Sequence, residues 1–159
     1  MTDTPSASPD LAEYLNENVQ GWNKLMGLRL VRATADEVVA EITADERHHQ
    51  PYGLVHGGVY ASMIETVCSV GAAAWALPQN LSVVGLDNHT SFLHAAREGR
   101  LTIVAKPLSR GRRTHLWEAT VTDENKRVCA TGRVRLVCLE QGARVAGETV
   151  AVKHSEPAR

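Results

Sequence analysis

The chain is 159 residues long, with a formal net charge of −1 and 43% hydrophobic residues. That length suits one domain with a sizeable core, and the near-neutral charge gives no global electrostatic case for nucleic acid or an acidic membrane surface. A single Phe and three Tyr leave little aromatic surface for stacking bases.

Residues 1–9 carry no basic stretch followed by an apolar one, so they do not read as a signal peptide; a disordered tail is expected. Asp10-Leu11-Ala12-Glu13 has the form of a capping box and predicts a short helix to about Val19. Trp22 to Gly27 leads into the first strand. Leu28 and Leu30 alternate, as do Val38, Ala40 and Ile42, with Ala35-Asp36 as the hairpin turn between them. A loop around Gln50 follows. From Val59 to Leu77 the chain has no Pro, one Gly at Gly71 and one charge at Glu65, the composition of a buried helix. Its length raises the membrane question, but Glu65, the serines and the excess of Ala over Leu argue against a span.

After Pro78 the pattern turns to strands. Val84, Leu86, Asn88, Thr90 and Phe92 are expected on one face, with Val83, Asp87, His89, Ser91 and Leu93 on the other. Turns are expected at Arg97-Glu98-Gly99, Ser109 to Arg113, and Asp123 to Lys126, separating three further strands that end near Cys138. Residues 141–159 lose periodicity and read as a loose tail. The expected layout is one domain over residues 10–140, of α+β class: an antiparallel sheet wrapped around one long central helix. Cys68, Cys129 and Cys138 are odd in number and widely spaced in apolar settings, as in reduced core cysteines of a cytoplasmic protein. No metal-ligand spacing appears, His48-His49 and His94 included. No Gly-x-Ser-x-Gly elbow appears either.

A lone carboxylate in a buried helix has to be paired, neutralised or placed in a cleft. Ser62, Glu65 and Ser69 fall on one helix face, so Glu65 is either a structural residue satisfied by the serines or a site residue. Met63, Val67, Val70 and Ala74 are expected to form a separate apolar face. Just upstream, His56-Gly57-Gly58 falls at the helix N-terminus, where backbone N–H groups lack intrahelical partners and the dipole is positive. Without side chains, the glycines let a carbonyl oxygen approach those donors. Taken alone, the Gly pair also fits a plain tight turn.

Gln50-Pro51-Tyr52-Gly53-Leu54-Val55-His56-Gly57-Gly58, with Glu65 nine residues after the His, resembles the His-Gly-Gly group of hotdog-fold acyl-CoA thioesterases. This group includes phenylacetate-pathway, 4-hydroxybenzoyl-CoA and enterobactin-proofreading thioesterases. The likeness runs from roughly Gly27 to Leu139, and Gly111-Arg112-Arg113-Thr114 with Trp117-Glu118 adds to it. The resemblance implies a hotdog-fold oligomer, a dimer of dimers, hydrolysing aromatic or short- to medium-chain acyl-CoA without a metal or cofactor. It implies that Glu65 acts as general base or nucleophile, that the Gly57 N–H polarises the carbonyl, and that His56 positions it. Gln50 would orient substrate or water, and Ser69 would hold the water. Asn88 and His89 would contact the acyl group. Arg110, Arg112, Arg113 and Thr114 would meet coenzyme A, where the unaided residues suggest only a solvated hairpin. Gly57 and Glu65 are eight residues apart, about 12 Å along a helix, so a shared thioester would lie across a dimer interface. Two other readings stay open: an acyl-thioester hydratase or dehydratase on the same fold, and a non-catalytic acyl-CoA-binding protein.

Overall fold

The computed structural model describes residues 8–150. Two short helices, α1 (Ala12–Glu17) and α2 (Gly21–Leu25), precede the hairpin β1 (Arg29–Ala33) and β2 (Val38–Ala44). A single helical turn at Glu46–His48 and the Gln50 loop lead into α3 (Gly57–Ala76), the long helix. Four long strands follow: β3 (Leu81–Phe92), β4 (Gly99–Arg110), β5 (Thr114–Thr122) and β6 (Val128–Glu140). They join the first hairpin in one six-stranded antiparallel sheet of order β1-β2-β4-β5-β6-β3. The sheet curls around α3, which contacts every strand of it. The α+β expectation thus holds, with the apolar helix serving as the core element of the sheet.

The helix approaches the sheet closely because small residues meet large ones. Any side chain at Gly71 would overlap the ring of Trp117, which is fully buried on β5. Gly132 on β6 lies where Ile64 of α3 packs. Met63, Ile64, Val67, Cys68 and Ala72 fill the remaining interface. The buried residues of α3 therefore fall in adjacent pairs one turn apart, 59–60, 63–64, 67–68 and 71–72, followed by Ala76 alone in the last turn. Val70 and Ala74, expected on the core face with Met63 and Val67, are instead half-buried on its flank. The helix is thus not buried all round within one chain.

Several local expectations change. Asp10 does not close a capping box: its carboxylate accepts from the N–H groups of Ala12 and Ala33, 2.9 Å each, and so ties α1 to β1. Trp22 to Leu25, read as a lead into the first strand, lies within α2. The two-face pattern on β3 is interrupted by a β-bulge between Gly85 and Asp87. This extra residue shifts the phase of the pleat. Gly85, Asn88 and Thr90 pair with the inward residues Leu136, Val134 and Gly132, whereas Leu86 is 54% exposed. Part of the expected C-terminal tail forms a small hairpin, β7 (Arg144–Val145) with β8 (Glu148–Thr149). At the other end Ser8 is hydrogen-bonded to the β1–β2 turn at Ala35 and Asp36. The rest of both expected tails, residues 1–7 and 151–159, lies outside the described residues.

Cys68, Cys129 and Cys138 are all free and buried. Burial pushes each thiol above its ordinary pKa. Among the described residues the strand β3 forms one edge of the sheet, pairing with β6 alone along its 12 residues. A long edge strand of this kind offers unpaired backbone groups to a second chain.

Candidate active site

Glu65 sits on the half-buried flank of α3, opposite the inward residues of β3. One carboxylate oxygen accepts from Asn88 Nδ2 at 2.9 Å, and Ser69 Oγ donates to the other at 3.5 Å. Asn88 is itself held in one orientation. Its Nδ2 also donates to the Ala61 carbonyl at 3.1 Å, and its Oδ1 accepts from Thr90 Oγ1 at 2.7 Å. This arrangement fixes which end of the amide faces the carboxylate. The side chains come together because Asn88 and Thr90 are two apart on one strand face, and Ala61, Glu65 and Ser69 are four apart on the helix.

The β3 bulge completes the placement. Without it Asn88 would fall on the opposite face of the sheet. Gly85 just before it leaves room for the carboxylate: a Cβ there would lie 2.6 Å from Glu65 Oε1. Glu65 thus borders a cavity of about 490 Å³, lined also by Trp22, Ala61, Ser62, Thr66, Asn88, Thr90 and Phe92.

The start of α3 makes a second site. His56 is its N-cap residue: Nδ1 accepts from the Gly58 N–H at 2.8 Å, while the His56 carbonyl accepts from the Val59 N–H. With Nδ1 accepting, the neutral ring carries its proton on Nε2. The backbone N–H of His56 donates to the His48 carbonyl, and buried His48 is fixed through Nε2 to the Met26 carbonyl at 3.0 Å. The neighbours are thereby satisfied around Gly57, whose N–H occupies the first helical position and has no intrahelical acceptor. Gln50 and Gly57 border a cavity of about 360 Å³ with Tyr60 and Phe92. The side-chain oxygen Oε1 of Gln50 accepts from the Tyr52 N–H at 2.5 Å, and its backbone carbonyl accepts from the Gly53 N–H at 2.9 Å, which closes the loop.

Phe92 stands between the two cavities and lines both. Its ring lies against Gly57, where a Cβ would come within 2.9 Å of it. Glu65 and Gly57 of one chain therefore border different cavities that share Phe92, in keeping with their separation of about 12 Å along α3.

The other expected residues are distributed differently. His89 pairs with Arg133 and is exposed on the outer face of the sheet, away from Glu65. Arg110 is committed to the β1–β2 turn, bonding the Ala35 carbonyl at 2.9 Å and pairing with Asp36 at 2.9 Å. Arg112 and Arg113 form no ion pair among the described residues and border a cleft of about 380 Å³ with Gln79 and Glu140. Thr114 is exposed beside them, its carbonyl accepting from the Gly111 N–H. This turn lies by the end of α3, where Trp75 meets His115 at 4.6 Å, and not by its start at Gly57. Of the residues bordering the Glu65 cavity, the sequence reading assigned only Glu65 and Asn88 to a site. Among the others, Thr90 carried a usable signal, its spacing of two from Asn88; Trp22 carried none.

Comparison with known proteins adds to this geometry. Residues 52–130 match the family model described as the thioesterase superfamily. A Mycobacterium tuberculosis protein bearing an esterase name is 40% identical over 135 residues, 84% of this chain and 96% of that one. Its solved structure matches with a TM-score of 0.74, covering 78% and 98% of the two chains. The 1,4-dihydroxy-2-naphthoyl-CoA hydrolase of Escherichia coli is 33% identical over 125 residues, 77% of this chain and 91% of that one. A solved Haemophilus influenzae thioesterase has a TM-score of 0.76 at 28% identity, covering 81% and 90%. With a sheet wrapped on one helix, a carboxylate held on that helix and relatives of this extent, the chain belongs to the thioesterase superfamily and has its hotdog fold.

Proposed function

We propose that this chain hydrolyses acyl-CoA thioesters, with Glu65 carrying the chemistry. The observation that supports this most is the carboxylate itself. It is tethered by Asn88, approached by Ser69, and borders a cavity open to a substrate. A carboxylate kept for structure alone needs no such access.

In this reading the thioester carbonyl oxygen accepts from a Gly57 N–H, and the helix dipole stabilises the charge that develops on it. Glu65 then takes a proton from water as the oxygen attacks the carbonyl carbon. The C–S bond breaks, the thiolate of coenzyme A leaves, and the proton on Glu65 returns to it. Direct attack by Glu65, giving a mixed anhydride that water hydrolyses, reaches the same products. The 3.5 Å between Ser69 Oγ and Glu65 leaves room for both to hold that water. Gln50 and His56 shape the loop that presents Gly57.

The site is composite: Glu65 of one protomer works with the partner subunit's Gly57. The separation of the two residues along α3 and the β3 edge, unpaired among the described residues, support a dimer, and a pairing of dimers into a tetramer extends it. Arg112 and Arg113 bind the phosphates of coenzyme A, since both are exposed and free of acidic partners among the described residues. Three buried free thiols support a cytoplasmic location.

The test is incubation of the wild-type protein with a panel of aryl- and alkyl-CoA thioesters. Stoichiometric release of free thiol and free acid supports hydrolysis. A hydrated or dehydrated acyl-CoA without thiol release would indicate the hydratase reading instead. Binding without turnover across the panel would indicate a non-catalytic acyl-CoA-binding protein.

A further inference from the structure

The Glu65 cavity looks polar by composition, yet the hydroxyl and amide protons of Ser62, Thr66, Asn88 and Thr90 are spent inside the protein. Ser62 Oγ donates to the Gly58 carbonyl at 2.7 Å, and Thr66 Oγ1 donates to Asn23 Oδ1 at 2.9 Å. Thr90 donates to Asn88, and Asn88 to Glu65 and Ala61. What remains for a ligand, apart from the carboxylate and the indole N–H of Trp22, is mainly apolar surface from Trp22, Ala61 and Phe92. Hydrocarbon fits such a lining better than the several amide groups of a pantetheine arm, each of which needs both a donor and an acceptor.

Trp22 supplies the largest of these side chains and is 56% exposed. An indole left in contact with water at a cavity wall gains by burial against a ligand. Its support is slight. Helix α2 is five residues long and buries none of them. The bond between Thr66 and Asn23, the residue next to Trp22, fastens α2 to the central helix.

From this arrangement we propose that Trp22 is a specificity-determining residue: it forms the wall that limits the length of the acyl chain beside Glu65, and the Asn23–Thr66 bond positions it. The proposal rests on the acyl-CoA thioesterase reading given above. A straight alkyl group longer than the cavity meets the indole. Shortening that side chain opens the cavity toward α2, and releasing the tether loosens the same wall.

The experiment is thiol release by wild type, W22A, T66V and T66S across the straight-chain series from butyryl- to decanoyl-CoA, with thermal melts to establish folding. Adding or removing single methylenes in an apolar pocket changes kcat/KM by about 10- to 200-fold. The decanoyl-to-butyryl ratio of kcat/KM is therefore expected to rise by at least about tenfold in W22A. T66V should shift the ratio in the same direction by less, while T66S, which keeps the hydroxyl, should match wild type. An unchanged or lowered ratio in a folded W22A that still releases thiol overturns the role of Trp22 and leaves the thioesterase reading standing. Equal ratios for T66V and T66S would overturn the positioning role of the tether. Wild type inactive on the whole series and on aryl thioesters would instead remove the reading on which the inference rests.

Discussion

Replacing Gly85 with Ala tests the geometry of the carboxylate without touching it. The new methyl would lie 2.6 Å from Glu65 Oε1, and the two must separate by about 0.8 Å to reach the 3.4 Å of ordinary contact. The carboxylate is the free end of a flexible side chain, whereas Gly85 is fixed in the β3–β6 ladder, so Glu65 yields. The crowded oxygen is the one facing Ser69; a shift of the whole carboxylate away from Asn88 would carry the 2.9 Å bond from Asn88 to the other oxygen out to about 3.7 Å, beyond hydrogen-bonding range. A displacement near 1 Å at a reacting group lowers rate by about 100-fold. Stability responds far less: the Gly-to-Ala change contributes about 0.4–1 kcal/mol, which offsets part of the roughly 1–2 kcal/mol lost with the Asn88 bond. The assay is kcat/KM for thiol release on the best acyl-CoA substrate, with a thermal melt and size-exclusion profile for each protein. A folded, normally assembled G85A within threefold of wild-type activity would refute the placement of Glu65 as the reacting group.

Gly71→Ala probes the helix–sheet contact. Helix propensity favours Ala by about 1 kcal/mol, but the methyl overlaps buried Trp117, and overpacking costs about 1–3 kcal/mol. The packing term should prevail and Tm fall by several degrees; a rise in Tm would contradict the close approach. Tyr60 is pushed up to about 12, first by burial and then by neighbouring Cys129. A group with a raised native pKa stabilises fully below its ordinary value near 10, and that contribution is lost as pH rises toward 12. Ultraviolet titration should show one tyrosine ionising only at that upper end, and complete ionisation near pH 10 in the folded protein would contradict it. Cys68, Cys129 and Cys138 should resist a thiol reagent at pH 8 and all react in denaturant, because each is buried with a raised pKa. Size-exclusion chromatography with activity measured across the peak should place turnover in an oligomer; a fully active monomer would sink the composite site.

Much of the fold was legible because its signals are local. The alternation in β4 to β6, the polar turns between them and the long apolar run of α3 each reflect short-range periodicity. Glu65 stood out as the single charge in that run, and Gly57 as a residue at a helix start. Asn88 was singled out on other grounds, yet its tie to Glu65 was hidden. One extra residue at Gly85–Asp87 reverses the pleat, and no periodicity rule anticipates a bulge. Arg110 shows the opposite limit. The sequence groups it with Arg112 and Arg113, but its partner Asp36 lies 74 positions away in the chain. Trp22 was read as a lead into a strand, since a five-residue helix carries too short a pattern to register.

The central claim is that Glu65 carries thioester hydrolysis, and the most direct measurement compares thiol release by wild type and Glu65→Gln on the same acyl-CoA panel. The amide keeps the size of the side chain and removes the base, so release should fall by two or more orders of magnitude, on the scale of about 10²–10⁴ for a general base, with acyl-CoA binding retained. Equal release by both proteins would leave a hydrolase whose chemistry lies elsewhere, and would contradict the account.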